Sequence, residues 1–148
     1  GGSVLGVQQV PQSQVSRYGI VAPHKVKPNV WQAVDLVEKP EAEKAPSRLA
    51  VLGRYVLTPA IFDILEHTKP GAGEEIQLTD AICELARKEK VYAYRFEGRR
   101  YDIGDKEGFL EATVEQALKR PEIRDDFMAY LVQRIGPLLR QKMEEDAE

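Results

Sequence analysis

The chain has 148 residues, 43% of them hydrophobic, and 21 basic against 24 acidic side chains leave a net charge of −3. This suits one compact domain or a large piece of a bigger one, and it excludes the basic stripe that nucleic-acid binding needs. No apolar run approaches the ~20 residues that a bilayer requires, and the N-terminus lacks the charged and apolar regions of a signal peptide. The one cysteine, Cys83, can form no internal disulfide, which suits a reducing, cytoplasmic setting and predicts a buried structural thiol.

Val4 to Pro11 predicts a strand, and the polar run to Arg17 a loop. Gly19 to Ala22 and Val30 to Val37 predict a hairpin around Pro23, Pro28 and Asn29. Arg48 to Thr58 is almost continuously apolar, as in a strand covered on both faces. Thr58-Pro59 then predicts an N-cap and first helical position, with Ile61, Phe62 and Leu65 on the inner face. Gly71-Ala72-Gly73 lacks the Gly-Lys-Ser/Thr ending of a phosphate loop and predicts a turn. A second helix spans about Leu78 to Lys88, capped by Thr79 or Asp80, with Ile82, Leu85 and Ala86 inward. Val91 to Phe96 alternates as a strand, and Tyr101 to Gly104 predicts a short extended segment. Asp105 can cap a third helix to about Lys119, with Leu110, Thr113, Val114, Ala117 and Leu118 buried. Pro121 opens a fourth helix that Gly136-Pro137 should break or kink. The fold class is therefore α/β, with a mixed sheet covered by helices on at least one face.

The chemistry-bearing residues are few. Glu38-Lys39 ends a predicted strand, where ligands collect in open α/β sheets. A carboxylate can accept two sugar hydroxyls and an ammonium can neutralise a phosphate; residue type alone fits a solvated ion pair better. Asp102 offers the oxygen ligands that Mg²⁺ prefers, or is a turn residue. Gly19 can admit a ligand close to the backbone, or is an ordinary strand glycine. Arg99 and Arg100 suit an exposed turn, and His24 and His67 lack partners at zinc-ligand spacing.

The order of the motifs is more specific than any of them alone. Tyr18-Gly19-Ile20-Val21, Val37-Glu38-Lys39-Pro40, Leu52-Gly53-Arg54-Tyr55-Val56-Leu57-Thr58-Pro59, Glu75-Ile76-Gln77-Leu78-Thr79-Asp80-Ala81 and Tyr101-Asp102-Ile103-Gly104-Asp105-Lys106 follow one another. In this order the chain resembles the bacterial UTP–glucose-1-phosphate uridylyltransferases from about residue 3 to about residue 120.

The resemblance implies the C-terminal part of a three-layer, Rossmann-like nucleotidyltransferase with a mixed, mostly parallel sheet and C-terminal helices. Residues 1–120 would be the sugar-phosphate-binding half and 121–148 a helical tail. It implies a uridylyltransferase making UDP-glucose and pyrophosphate from UTP and glucose 1-phosphate with Mg²⁺. Glu38 would hold glucose hydroxyls, Lys39 the sugar phosphate, the Gly19 backbone the sugar, and Asp102 would be one of two metal-binding aspartates. The other aspartate and the Gly-rich nucleotide loop have no counterpart here, so the chain alone is expected to be inactive. A related sugar-1-phosphate nucleotidyltransferase, such as a thymidylyltransferase, and a non-catalytic regulatory module of the same fold are the alternatives. Phe127, Leu131, Ile135, Leu138 and Leu139 of the tail can pack on their own domain or join subunits of a homo-oligomer.

Overall fold

The computed structural model describes residues 1–71 and 74–146, so Ala72 and Gly73 of the expected turn lie outside the described residues. The chain forms two compact units, Gly1–Glu97 and Gly98–Glu148. The division falls ahead of residue 121, where the helical tail was expected to begin.

The first unit holds β1 (Ser3–Gln9), β2 (Gly19–Lys27), β3 (Val30–Glu38), β4 (Leu49–Val56) and β5 (Val91–Arg95), with helices α1 (Ala60–Leu65) and α2 (Leu78–Lys88). The strands close into a barrel in the order β1-β4-β2-β3-β5. The sheet is mixed, as expected, but it is not mostly parallel. Only β1 with β5 is parallel; β1 with β4, β2 with β3, β2 with β4 and β3 with β5 are antiparallel. The physical reason is the connections. β2 and β3 are joined by a two-residue turn, and only antiparallel strands can be linked so tightly. The parallel pair is reached only through the long excursion from β1 to β5.

The hairpin turns at Pro28-Asn29, where Asn29 takes φ 59°. Pro23 does not turn the chain. It lies inside β2, where the register with β3 shifts between Ala22 and Pro23, the irregular ladder position a residue without N–H tolerates.

Alternation along the strands divides the core in two. Val21, Leu49 and Val51 join Leu5, Val7, Leu36, Ile61, Ile64, Ile82, Leu85 and Val91 in the main cluster. Their neighbours Ile20, Ala50 and Leu52 pack with Val15 in a second one. β4 is covered on both faces only from Leu49 to Leu52; Gly53–Val56 is exposed. In α2, Ala81, Ile82 and Leu85 are buried. In α1, Ile61 and Ile64 are buried while Phe62 is exposed, because the short helix turns its third residue outward.

Thr58 does not cap α1. Its hydroxyl donates to Glu89 Oε1 at 3.0 Å, and Ser3 Oγ donates to the same oxygen at 2.8 Å while accepting the Thr58 N–H at 3.1 Å. Ser3 is fully buried, so this network ties the start of β1 to the ends of β4 and α2. Ser3→Ala strands the Thr58 N–H and removes one of the two donors to Glu89 Oε1. A loss of about 1–3 kcal/mol is expected, read as a lower urea midpoint at unchanged slope.

The second unit holds α3 (Lys106–Leu118) and α4 (Pro121–Glu145), which pack on each other. Asp105 caps α3 as expected, accepting the Gly108 N–H at 3.2 Å. Neither helix buries a residue fully. Of the expected α3 stripe, Val114, Ala117 and Leu118 are half-buried, but Leu110 and Thr113 face solvent. α4 is not broken at Gly136-Pro137. Pro137 costs one ladder hydrogen bond on an exposed surface, and the helix continues for two more turns. Tyr101–Gly104 is not an extended strand; the chain turns at Ile103-Gly104 into α3. Among the described residues no helix is long and apolar enough to cross a membrane.

Candidate active site

The hairpin brings three of the sequence-derived residues together. Gly19 opens β2 and Glu38 closes β3, and the two are paired directly across the ladder. One further bond, from the Lys39 N–H to the Tyr18 carbonyl at 3.0 Å, extends the pairing past the strand end. Lys39 then adopts φ 44°, in the left-handed region that residues with a Cβ seldom enter, just before Pro40. This backbone leaves the Lys39 side chain 61% exposed beside a Glu38 side chain only 18% exposed, with Nζ 3.6 Å from Oε1.

Glu38 is held from its other side. Thr79 Oγ1, in the first turn of α2, donates to Glu38 Oε2 at 2.6 Å. Gly19 makes this approach possible: a Cβ there would stand 3.1 Å from Glu38 Oε2 and 3.1 Å from Thr79 Oγ1. The Glu38 carboxylate therefore lies over a side-chain-free stretch of β2 at the positive end of a helix. Tyr55 on β4 feels the same charge. Burial pushes its phenol pKa up first, and the negative Glu38 adds to the shift. A solvated ion pair at a strand end describes Lys39 alone. It does not describe a mostly buried carboxylate with a dedicated hydroxyl donor.

Asp102 belongs to the second unit. Its Oδ1 accepts the Gly104 N–H at 3.3 Å, and Arg100 Nη2 is 3.3 Å from its Oδ2. The side chain is 44% exposed. Among the described residues no three His, Cys, Asp or Glu side chains group as a metal site. Asp102 can still supply one or two hard oxygen ligands, and Mg²⁺ commonly takes its remaining ligands from water and substrate phosphates. Arg99 does not point freely into solvent: it pairs with Glu111 at 2.5 Å and with Glu115, and lies 5.1 Å from the Tyr101 ring centre.

Cys83 is half-buried rather than fully buried. It packs against the main core and donates to Asp35 Oδ1 at 2.7 Å. Burial and then that hydrogen bond push its thiol pKa up, the opposite of an activated nucleophile. Two residues of the Glu38 surroundings escaped the sequence reading. Thr79 read as a helix cap, and Tyr55 as a core strand residue. Both stand inside the quoted motifs, but neither carries a local signal for its neighbour.

The nucleotidyl transferase family profile matches residues 3–118. A UTP–glucose-1-phosphate uridylyltransferase of Staphylococcus epidermidis is 53% identical over 133 residues, 90% of this chain and 46% of the relative. The enzyme of the same name from Streptococcus pneumoniae serotype 4 is 49% identical over 141 residues, 95% of this chain and 47% of the relative. A crystal structure of UDP-glucose pyrophosphorylase complexed with UDP-glucose superposes with a TM-score of 0.77 at 45% identity, covering 80% of this chain and 45% of that one. The chain thus spans about half the length of the curated relatives it matches. These matches measure how much of each relative is covered and do not support the expected placement as a C-terminal half. With most of its length matched by that profile, the chain belongs to the nucleotidyl transferase family.

Proposed function

We propose that this chain carries the sugar-phosphate part of the active site of a UTP–glucose-1-phosphate uridylyltransferase. The reaction joins glucose 1-phosphate to UTP, giving UDP-glucose and pyrophosphate. One observation carries the reading: Glu38 is fixed by Thr79 over the open backbone of Gly19, beside the exposed ammonium of Lys39. The relatives bearing that enzyme name are about half identical to this chain.

The roles follow from the chemistry of each group. Glu38 has acceptor capacity beyond the Thr79 bond, and it accepts hydroxyls of the glucose ring. Gly19, lacking a side chain, leaves the space in which Thr79 meets Glu38, and its backbone contacts the sugar in this proposal. Lys39 places a positive point charge for the sugar phosphate, so that its oxygen is held in line with the α-phosphorus of UTP. Asp102 would hold a divalent cation, Mg²⁺ in this proposal, which when bound neutralises phosphate charge. The protein's own contribution is positioning and charge neutralisation, with no covalent intermediate on a side chain. The partners are small molecules.

The test is a substrate panel on the intact protein. Pyrophosphate release is expected with UTP and glucose 1-phosphate, and at a much lower kcat/KM when dTTP replaces UTP or another hexose 1-phosphate replaces glucose 1-phosphate. Equal or better use of dTTP would move the assignment to a thymidylyltransferase. No pyrophosphate release with any pair, together with no binding of glucose 1-phosphate, would leave a non-catalytic module.

A further inference from the structure

We infer that Thr79 is a positioning residue for the sugar site: its hydroxyl sets the orientation of the Glu38 carboxylate that receives the glucose ring. This rests on the role proposed for Glu38. Thr79 stands in the first turn of α2, whose N-cap residue Gln77 makes no side-chain cap bond. A threonine hydroxyl in such a place ordinarily turns back to the helix's own backbone. Here it leaves the helix and donates to Glu38 Oε2 at 2.6 Å, a short bond to a carboxylate oxygen.

The consequence is directional. With Thr79 on Oε2 and the Lys39 ammonium 3.6 Å from Oε1, the carboxylate cannot rotate without losing one or the other. The threonine methyl closes the other side, 3.4 Å from where a Gly19 side chain would begin. A carboxylate held this way offers the sugar a preformed pair of acceptors. Without the hydroxyl it must be ordered again at each binding event.

The experiment compares Thr79→Val, which keeps the shape and removes the donor, with Thr79→Ser, which keeps the donor, in the intact protein. Glu38→Gln is the reference variant, and thermal melting accompanies each. Thr79→Val is expected to raise KM for glucose 1-phosphate about ten-fold, the scale of one hydrogen bond to a charged group, with KM for UTP within two-fold of the parent. Thr79→Ser is expected within three-fold of the parent on both substrates. If Thr79→Val does not fold, Thr79→Ala takes its place with the same expectation. An unchanged KM for glucose 1-phosphate in the donor-free variant, while Glu38→Gln raises it, overturns the role of Thr79 and leaves Glu38 standing. Equal rises in both KM values, or no rescue by serine, also overturn it. If Glu38→Gln itself leaves that KM unchanged, the site reading fails and the role of Thr79 falls with it.

Discussion

Turnover of the intact protein is expected to fall on the order of 10²–10³-fold when Lys39 is replaced by alanine, the scale of losing one preorganised electrostatic contact to developing charge. The ammonium stands 3.6 Å from Glu38 with the side chain 61% exposed. Stability should change little, because an exposed ion pair contributes about 0–1 kcal/mol. The backbone separates function from folding. Lys39 sits at φ 44°, a conformation that glycine adopts without a steric penalty. Lys39→Gly is therefore expected to melt higher than the parent, by about 1 kcal/mol of relieved strain, and to be as inactive as Lys39→Ala. Parallel changes in melting and rate would mean that Lys39 is structural. A parental rate in either variant would sink the role assigned to its charge. Lys39→Arg should recover only part of the rate, since a planar guanidinium does not reproduce a compact point charge.

Gly108→Ala should be the second severe substitution, although alanine normally stabilises a helix over glycine by about 1 kcal/mol. Gly108 is in the first turn of α3, and a Cβ there would overlap the Asp102 carbonyl oxygen and lie 3.1 Å from its carbonyl carbon. That loop cannot move freely. The Asp105 N–H donates to the same Asp102 carbonyl at 3.2 Å, and Asp105 Oδ2 accepts the Gly108 N–H at 3.2 Å. Adding one methyl must break this stitching or push Asp102 out of place. The expected cost is about 1–3 kcal/mol of overpacking. On the role proposed for Asp102, its displacement is expected to raise the Mg²⁺ concentration for half-maximal activity roughly 10–100-fold, the scale of disturbing a metal ligand's support. Two other glycines calibrate the sign. Gly136→Ala, with nothing within 4 Å in α4, should stabilise. Gly104→Ala, only in ordinary 3.4 Å contact with Asp102 Oδ1, should be near neutral. If Gly108→Ala melts like Gly136→Ala and keeps the parental Mg²⁺ requirement, the packing of α3 does not position Asp102.

Local signals read well where they act over a few residues. α2 spans Leu78–Lys88 as periodicity implied, though its N-cap is Gln77 and neither Thr79 nor Asp80, and α3 begins after its Asp105 cap as expected. The β2–β3 hairpin was legible because Pro28-Asn29 turns the chain between two β-rich runs. The same local logic failed where a distant partner outbid it. Thr58 and Thr79 both carry the right hydroxyl at the right offset for an N-cap. Each donates instead to a glutamate far along the chain, Glu89 and Glu38. Pro137 did not break the helix: α4 runs on to Glu145 despite the lost ladder bond and the crowding of the carbonyl four residues back.

Motif order identified the family and pointed to Gly19, Glu38 and Lys39 as candidates, since each motif is a short run of consecutive positions. The strand connectivity, the barrel closure and the surroundings of each site residue needed the folded chain. Thr79 reaches Glu38 across 41 positions of sequence. No periodicity or cap rule spans such a distance, and only the packing of α2 against β3 brings the two together. Glu38-Lys39 could thus be singled out from the sequence as a candidate sugar-phosphate contact. That its carboxylate is mostly buried, hydroxyl-bonded and set over a bare backbone is a property of the tertiary fold.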